Sequence, residues 1–171
     1  MIDRTEIAAG SRLVIVLPLR PLAVGDAFTL REWPLHLTVA PTFVIAGGLP
    51  AVLPVVAPVL LAHRALVLDV GPADGFGHAM NVPVSLVEPS AELIGLHSRL
   101  IASLLTVGAR FDHPEFIGDA YRPHITLKGV PVLRCGVRLT QRQAAVVDMA
   151  PAGERRFRPV SYTHLTLPTK A

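Results

Sequence analysis

The sequence predicts an α+β fold in which antiparallel sheets line a central cleft and helices pack outside them. Strand-like apolar runs outnumber helical segments, in the order strand–helix–strand–strand and then helix–strand–strand. The tripeptide His-Leu-Thr at 36–38 returns as His-Ile-Thr at 124–126, each inside an apolar, β-prone run. This repeat indicates two similar half-domains that face one cleft.

The first half of the chain begins with strand signals. Residues 13–17 form an uninterrupted apolar run, which is typical of a central strand. Residues 35–39 alternate between apolar and polar side chains, and a proline brackets this strand on each side. Residues 49–62 are uncharged but carry three prolines, so we expect either a buried, proline-kinked helix or an extended cover segment.

The middle of the chain predicts two strands and a helix. Residues 65–70 form a strand closed by a Gly-Pro pair, and the turn signals in 72–81 predict a loop. Residues 82–87 form the next strand, which a proline ends. Residues 90–107 carry leucines at helical spacing between a serine start signal and a glycine stop signal.

The last third returns to strands. Residues 111–119 read as a polar connection, after which 124–128 repeat the alternation of the first His-x-Thr segment. Residues 144–149 predict a further strand. A turn at 151–154 leads into 156–160, which we expect to pair with it as a hairpin.

Composition limits the classes of protein that the chain can belong to. Its 171 residues predict one domain, with 51% hydrophobic and 17% charged residues, which excludes a disordered chain. The uncharged run at 49–62 has three prolines and only fourteen residues, too few for a transmembrane helix. The net charge of +3 is compatible with a polyanionic partner but not with a nucleic-acid-binding tail. A single cysteine, Cys135, and the lack of a signal peptide predict a cytoplasmic protein.

The two His-x-Thr motifs carry the chemistry. Residues i and i+2 of a strand point to the same face, so His36 lies beside Thr38 and His124 beside Thr126. Two histidines with two hydroxyls are what phosphoester chemistry needs when no metal is present. The four histidines at 63, 78, 97 and 113 lack a hydroxyl at i+2 and show no metal-ligand spacing, so we expect no metal site.

The chain resembles the two-histidine phosphoesterase superfamily, which includes the RNA 2′,5′-ligase-like cyclic phosphodiesterases. The resemblance rests on Trp-Pro-Leu-His-Leu-Thr-Val at 33–39 with Pro41 and Phe43, and on Tyr-Arg-Pro-His-Ile-Thr-Leu-Lys at 121–128. Between the motifs, Phe-Gly at 76–77, the strand at 82–87, Leu-Ile-Gly-Leu-His at 93–97 and Pro-Glu-Phe-Ile-Gly at 114–118 follow the order seen in that family.

The resemblance implies one two-lobed domain over residues 1–160, with a pseudo-twofold axis and one His-x-Thr from each lobe. It also implies metal-free, cofactor-free opening of a 2′,3′-cyclic phosphate to a 2′-phosphate, on RNA ends or small nucleotides. The histidines would serve as general acid and base, in roles that the sequence leaves open, and the threonine hydroxyls would hold the phosphate. We expect Lys128, Tyr121 and Phe43 to bind substrate, although surface exposure of the first and packing of the other two are alternatives.

Other substrates for the same site stay open. They are cyclic oligonucleotide signals, an ADP-ribose cyclic phosphate and 2′,5′-linkages; the absence of a basic stripe slightly favours small ligands. A module that holds RNA ends without turnover is the alternative from another class, although binding alone does not require two proton carriers. We expect a monomer that does not associate with membranes.

The C-terminal segment 161–171 resembles translated read-through of a sequencing adapter. We therefore expect it to be artefactual, weakly packed and without function, and we exclude its His-Leu-Thr at 164–166 from the site.

Overall fold

Ten β-strands form one antiparallel sheet in the computed structural model, which describes residues 10–129 and 133–165. Two helices complete the α+β fold that the sequence predicts. The strands are β1 (Ser11–Pro18), β2 (Ala27–Thr29), β3 (His36–Ile45), β4 (Leu66–Phe76), β5 (Val82–Val87), β6 (Arg110–Phe111), β7 (His124–Thr126), β8 (Arg138–Gln141), β9 (Gln143–Asp148) and β10 (Phe157–Leu165). The helices are α1 (Gly48–Ala62) and α2 (Ala91–Thr106).

The strand order is β2-β10-β9-β1-β3-β7-β5-β4-β8, with β6 paired to β3. The two motif strands, β3 and β7, are therefore neighbours at the middle of the sheet, with β1 beside one and β5 beside the other. The registers on the two sides match. A valine lies opposite the threonine of each motif, and the residue two positions later lies opposite the histidine: Val16 with Thr38, Pro18 with His36, Val84 with Thr126, and Leu86 with His124. This correspondence is the expected pseudo-twofold relation.

The two helices pack on one face of this sheet. Leu37 and Ile125, the central residues of the two motifs, are buried in a core that also contains the inner faces of α1 and α2. Because side chains alternate along a strand, the histidines and threonines point to the opposite face. The helices thus lie outside and leave the motif face free of them.

A second, smaller apolar cluster lies on the motif face of the first half. It joins alternate residues of β1 and β9 to Leu22 and Trp33, which belong to the segment between β1 and β3. This segment therefore covers part of that face next to His36.

Helix α1 forms despite its prolines. Pro50 is its third residue, where a backbone N–H has no partner within the helix. Pro54 and Pro58 lie inside the helix, but all three prolines are exposed while Val52 and Val56 are buried. The hydrogen bonds that prolines cannot make are lost on the solvent side, where water can reach the freed carbonyls. Of the two forms expected for 49–62, the helix is therefore correct.

The structure departs from the predicted elements in several places. Strand β4 continues through Gly71 and Pro72, with an irregular register between Val70 and Ala73, so the loop predicted from residue 72 begins later. The short strands β2, β6 and β8 carried no recognised signal in the sequence. No helix in the described part of the chain is long and apolar enough to cross a membrane.

The expectation that segment 161–171 packs weakly is wrong for its first five residues. They belong to β10, in which Tyr162 pairs with Val146 and His164 with Ala144. The remaining residues, 166–171, lie outside the described residues. The origin of the segment stays a prediction.

Candidate active site

One backbone pair brings the two motifs together. Leu37 of β3 is the partner of Ile125 of β7 in an antiparallel register. If that register is continued by one residue on each side, His36 lies opposite Thr126, and Thr38 opposite His124. All four side chains occupy the same face, where directly opposed residues have Cβ atoms about 5 Å apart. The sequence repeat thus becomes a compact set of two imidazoles and two hydroxyls.

Both imidazoles are oriented in the same way. The Nδ1 atom of His36 lies 2.8 Å from the carbonyl oxygen of Pro34, and Nδ1 of His124 lies 2.8 Å from that of Arg122. A carbonyl oxygen only accepts, so each Nδ1 carries the proton and donates it. In the neutral rings Nε2 therefore keeps its lone pair, and each can accept a proton at that atom.

An aromatic ring and a cation accompany each histidine. Trp33 stacks on His36 with ring centroids 4.2 Å apart, and the Lys128 ammonium lies 5.3 Å from the Trp33 ring. The Phe76 ring lies 4.4 Å from that of His124, with the Arg122 guanidinium 4.9 Å from Phe76. Two cations therefore border the motif face, an environment suited to an anion.

The two aromatic positions differ in access. Trp33 is only 7% exposed, whereas Phe76 is partly open to solvent. The Lys128 ammonium donates to the Leu30 carbonyl oxygen at 2.8 Å, whereas the exposed Arg122 guanidinium donates to the Asp74 carboxylate at 3.0 Å. The His36 side is thus more enclosed than the His124 side.

Burial lowers the pKa of both motif histidines. Loss of solvent around His36 lowers its pKa to about 4; its hydrogen bond to Pro34 opposes this, while Lys128 and His124 lower it further. For His124 burial again lowers the pKa most, opposed by the bond to Arg122 and assisted by the Arg122 charge. The charges of His124 and Lys128 both lower the pKa of His36, which agrees with the placement of the three groups near one another. Both rings are neutral at pH 7 in the free protein.

Lys128 follows the second motif in sequence, but its ammonium lies beside Trp33, next to the first motif. Burial lowers the pKa of its ammonium, and Arg158 contributes in the same direction. It influences His36 although 92 positions separate them in the chain. We retain Lys128 as a candidate substrate-binding residue.

Phe43 does not reach the motif face. It is 0% exposed, belongs to the helix-side core and packs against Phe111 at 5.7 Å between centroids. Phe43 shares the alternation of Leu37 and Val39, which point to that core. The expectation that Phe43 binds substrate is therefore wrong.

Tyr121 lies behind the motifs. Its hydroxyl donates to the main-chain oxygen of Thr38 at 2.7 Å, and its ring stacks on His97 at 3.8 Å. Burial raises the pKa of this hydroxyl. His97 covers one face of the Tyr121 ring and the hydroxyl is bonded to the main chain, so the observed contacts favour packing, the alternative expected for Tyr121, over contact with substrate.

Trp33, Phe76 and Arg122 were not among the predicted site residues. Trp33 and Arg122 are near neighbours of the motif histidines in sequence, which is a usable signal. Phe76 lies 48 positions before His124, and only the folding of β4 against β5 brings it there. Within residues 10–129 and 133–165, no group of three or more His, Cys, Asp or Glu side chains is arranged to hold a metal ion.

The chain matches the family model of the 2'-5' RNA ligase superfamily over residues 18–166. Its fold is similar to that of TT0787 of Thermus thermophilus, at 18% identity and a TM-score of 0.60, covering 93% of this chain and 100% of that one. It is also similar to E. coli LigT complexed with NADP+, at 14% identity and a TM-score of 0.58, covering 93% and 99%. A structure described as a phosphoesterase matches at 15% identity and a TM-score of 0.58, covering 92% and 98%. No curated protein matches the sequence significantly.

Proposed function

The chain belongs to the 2'-5' RNA ligase superfamily, and from this premise we propose that it is a phosphodiesterase that opens 2′,3′-cyclic phosphates to 2′-phosphates. The observation that carries the proposal is the pairing of Leu37 with Ile125, which sets two imidazoles and two hydroxyls on one face. The catalytic residues in this proposal are His36, Thr38, His124 and Thr126.

The proposed reaction is a single in-line displacement at phosphorus. One histidine accepts a proton at Nε2 from a water molecule, whose oxygen forms a bond to phosphorus. The bond from phosphorus to the ribose O3′ breaks, and the other histidine gives that oxygen a proton. The product is a 2′-phosphate with a free 3′-hydroxyl. Two imidazoles on opposite sides of one phosphorus atom can perform both transfers.

Binding of the substrate favours protonation of the histidine that serves as general acid. Burial keeps both rings neutral in the free protein, because it lowers the pKa of His36 and of His124. A bound phosphodiester brings a negative charge between them, and an adjacent anion raises the pKa of an imidazole. Substrate binding therefore favours the protonated state that the general acid requires.

The threonine hydroxyls and Lys128 supply charge stabilisation in this scheme. Thr38 and Thr126 donate to the non-bridging oxygens of the phosphate, where negative charge accumulates in the transition state. The Lys128 ammonium, which acts on His36 electrostatically, attracts the same anion. These groups require no metal ion, and we propose a metal-independent reaction.

We propose small nucleotides or RNA ends as substrates, rather than long RNA. Support comes from the enclosed His36 side, where Trp33 is 7% exposed, and from the lack of a run of basic residues. The E. coli LigT structures in complex with 3'-AMP, with ATP and with NADP+ are consistent with nucleotide ligands for this fold. All four motif residues belong to one chain, so we also propose a functional monomer, and we place it in the cytoplasm.

The test is turnover of the four nucleoside 2′,3′-cyclic monophosphates, with and without a chelator, with the isomeric products separated chromatographically. We expect 2′-monophosphates in both conditions. Exclusive formation of 3′-monophosphates would overturn the proposed bond cleavage, and loss of turnover with chelator would overturn the metal-independent reaction. Binding without any product would instead favour the RNA-end-binding module. Parallel incubation with 2′,5′-linked dinucleotides, cyclic oligonucleotides and ADP-ribose cyclic phosphate distinguishes the alternative substrates.

A further inference from the structure

Two side chains, one from the second motif segment and one from α2, bind the main chain of β3 at the first motif. Tyr121 lies three residues before His124, and its hydroxyl donates to the Thr38 carbonyl oxygen at 2.7 Å, across 83 positions of sequence. The next carbonyl oxygen along β3, that of Val39, lies 2.8 Å from Nδ1 of His97. Two consecutive carbonyl groups of the motif strand are thus held by two side chains.

The tautomer of His97 is determined by its contacts. The backbone N–H of Gly118 donates to Nε2 at 3.1 Å, so Nε2 carries no proton. The proton of the neutral ring is therefore on Nδ1, from which it is donated to Val39. His97 is fully buried, and burial lowers its pKa, which keeps the ring in this neutral form.

His97 also fixes Tyr121. The two rings are stacked at 3.8 Å with an interplanar angle of 6°. Gly118, which His97 binds, accepts a hydrogen bond from the Tyr121 backbone N–H at 3.0 Å. The ring of Tyr121 is therefore held on one face by His97, and its backbone by a turn that His97 anchors.

These bonds are made where the sheet itself is irregular. Val39 is an additional residue in β3, since Thr38 pairs with Val16 while Ala40 pairs with Ile15. On the β7 side, the register of Leu37 with Ile125, continued by two residues, places Pro123 opposite Val39. Proline has no backbone N–H to donate. Regular backbone pairing of β3 with β1 therefore stops at Thr38, the residue whose hydroxyl must meet one phosphate oxygen.

We infer that Tyr121 is a positioning residue, which, supported by His97, sets Thr38 of the first motif at its working distance from His124 of the second. This inference rests on the proposed function. It assigns Tyr121 no contact with substrate, and it requires the effect of its hydroxyl to pass through Thr38.

The test is a double-mutant cycle of Tyr121→Phe and Thr38→Val with a 2′,3′-cyclic nucleotide as substrate. Tyr121→Phe removes one hydroxyl and keeps the stacked ring, so we expect unchanged thermal unfolding. We expect kcat to fall about tenfold with KM within about twofold, because a misplaced donor mainly affects the transition state. In the Thr38→Val background the same change should alter kcat by less than about twofold, since residues that act as a unit are not additive.

Tyr162→Phe is the matched control, because Tyr162 is the chain's other tyrosine and lies in β10. It should leave kcat unchanged in both backgrounds. A tenfold loss from Tyr121→Phe that persists undiminished without the Thr38 hydroxyl would overturn the inference, as would an unchanged kcat in the single variant.

A readout without turnover separates this inference from the proposed function. In ¹H–¹⁵N spectra, Tyr121→Phe should shift the amide signals of Val39 and its neighbours and leave those of α1 in place, whereas Tyr162→Phe should not affect Val39. If the wild-type protein fails to hydrolyse cyclic phosphates, the proposed function fails, and these shifts still decide whether Tyr121 holds the motif strand. Unchanged signals around Val39 would overturn the inference.

Discussion

Leu37 and Ile125 pair directly across the boundary between β3 and β7, and neither side chain faces the proposed chemistry. Both are 0% exposed and point into the core beneath the helices. Their burial fixes which way the flanking histidines and threonines point, because a one-residue slip would exchange the two faces of the strand. The orientation of the candidate catalytic groups is thus determined by apolar packing on the opposite side.

Each motif histidine is expected to be essential. His36→Ala and His124→Ala should each lower kcat by about 10²- to 10⁴-fold, the range contributed by a positioned acid or base. Cyclic nucleotide hydrolysis under saturating substrate measures this. His113→Ala is the matched control, because His113 is exposed and contacts Glu115 and Phe116, neither of which belongs to a motif. Full activity in either motif variant would exclude the proposed acid–base pair.

The pH dependence of kcat/KM is expected to be bell-shaped, with its maximum on the acidic side of neutrality. The reaction needs one protonated and one neutral imidazole, a state most populated between the two pKa values whichever ring is the base. In the free protein the pKa of His36 is lowered to about 4, and that of His124 is lowered from 6.5. The maximum of kcat should lie at higher pH than that of kcat/KM, since bound phosphate raises the pKa values of both histidines. Initial rates from pH 4 to 9 provide the profile, and a kcat/KM maximum above pH 7 would contradict it.

Folding stability is expected to decrease as the pH falls below about 6.5. The lowered pKa of His36 means that the unfolded chain binds a proton more readily than the folded one between pH 6.5 and about 4. The stabilisation is therefore fully present above pH 6.5, the pKa of histidine in the unfolded chain. It is lost as the pH falls toward about 4, the pKa of His36 in the folded protein. For His36 the difference corresponds to about 3 kcal/mol, and His124 and His97 act in the same direction.

Urea unfolding at pH 7.5, 6.5, 5.5 and 4.5 measures this dependence. His36→Asn should flatten the decrease, because asparagine does not titrate. His113→Asn, which replaces an exposed histidine in the same way, is the matched control. An equally steep decrease in His36→Asn would show that His36 is not responsible.

Lys128 is expected to contribute to binding of the anion. Lys128→Met keeps most of the apolar stem and removes the charge, so KM should increase about tenfold, while removal of the positive charge should raise the pKa of His36. Steady-state kinetics and an NMR titration of the His36 ring measure the two effects. Arg110→Met, at an exposed position of β6, is the control for loss of one positive charge. An unchanged KM would remove Lys128 from the site.

The interior prolines of α1 are expected to lower stability. Pro54→Ala and Pro58→Ala should each stabilise the fold by about 1–3 kcal/mol, since alanine restores a helical hydrogen bond. Part of this gain is offset because alanine gives the unfolded chain more conformational freedom. Pro50→Ala is the matched control and should be nearly neutral, because Pro50 lies in the first turn. Thermal and urea unfolding measure these changes. Destabilisation by Pro54→Ala would indicate that the proline makes a favourable contact.

Local patterns allowed much of the fold to be predicted. Alternation in 35–39 and 124–128 placed the motif side chains on one face, and Ser90 marked the start of α2, where its hydroxyl accepts from the Leu93 N–H at 3.2 Å. Both signals depend on residues close in sequence. Repetition of the motif predicted one shared cleft, but it did not predict that the two motif strands are direct neighbours in one sheet.

Contacts between distant residues could not be predicted in this way. Strands β2, β6 and β8 are short and are stabilised by partners far along the chain, so their own residues carry little signal. The same is true of Tyr121, whose contact with Thr38 spans 83 positions of sequence and lies next to a bulge in β3. The error at Phe43 has another origin: the predicted strand ended before Pro41, whereas β3 continues to Ile45 and places Phe43 in the core.

The matched registers around the two motifs indicate how little of the protein is needed to specify this geometry. Four adjacent strand segments, 16–18, 36–38, 84–86 and 124–126, contain every backbone pair that orients the histidines and threonines. The edge strands and the hairpin between β9 and β10 contribute none of these pairs. A designer who wished to graft the constellation onto another scaffold would therefore need a four-stranded antiparallel platform with an apolar underside, together with equivalents of the Tyr121 and His97 contacts that hold the motif strand.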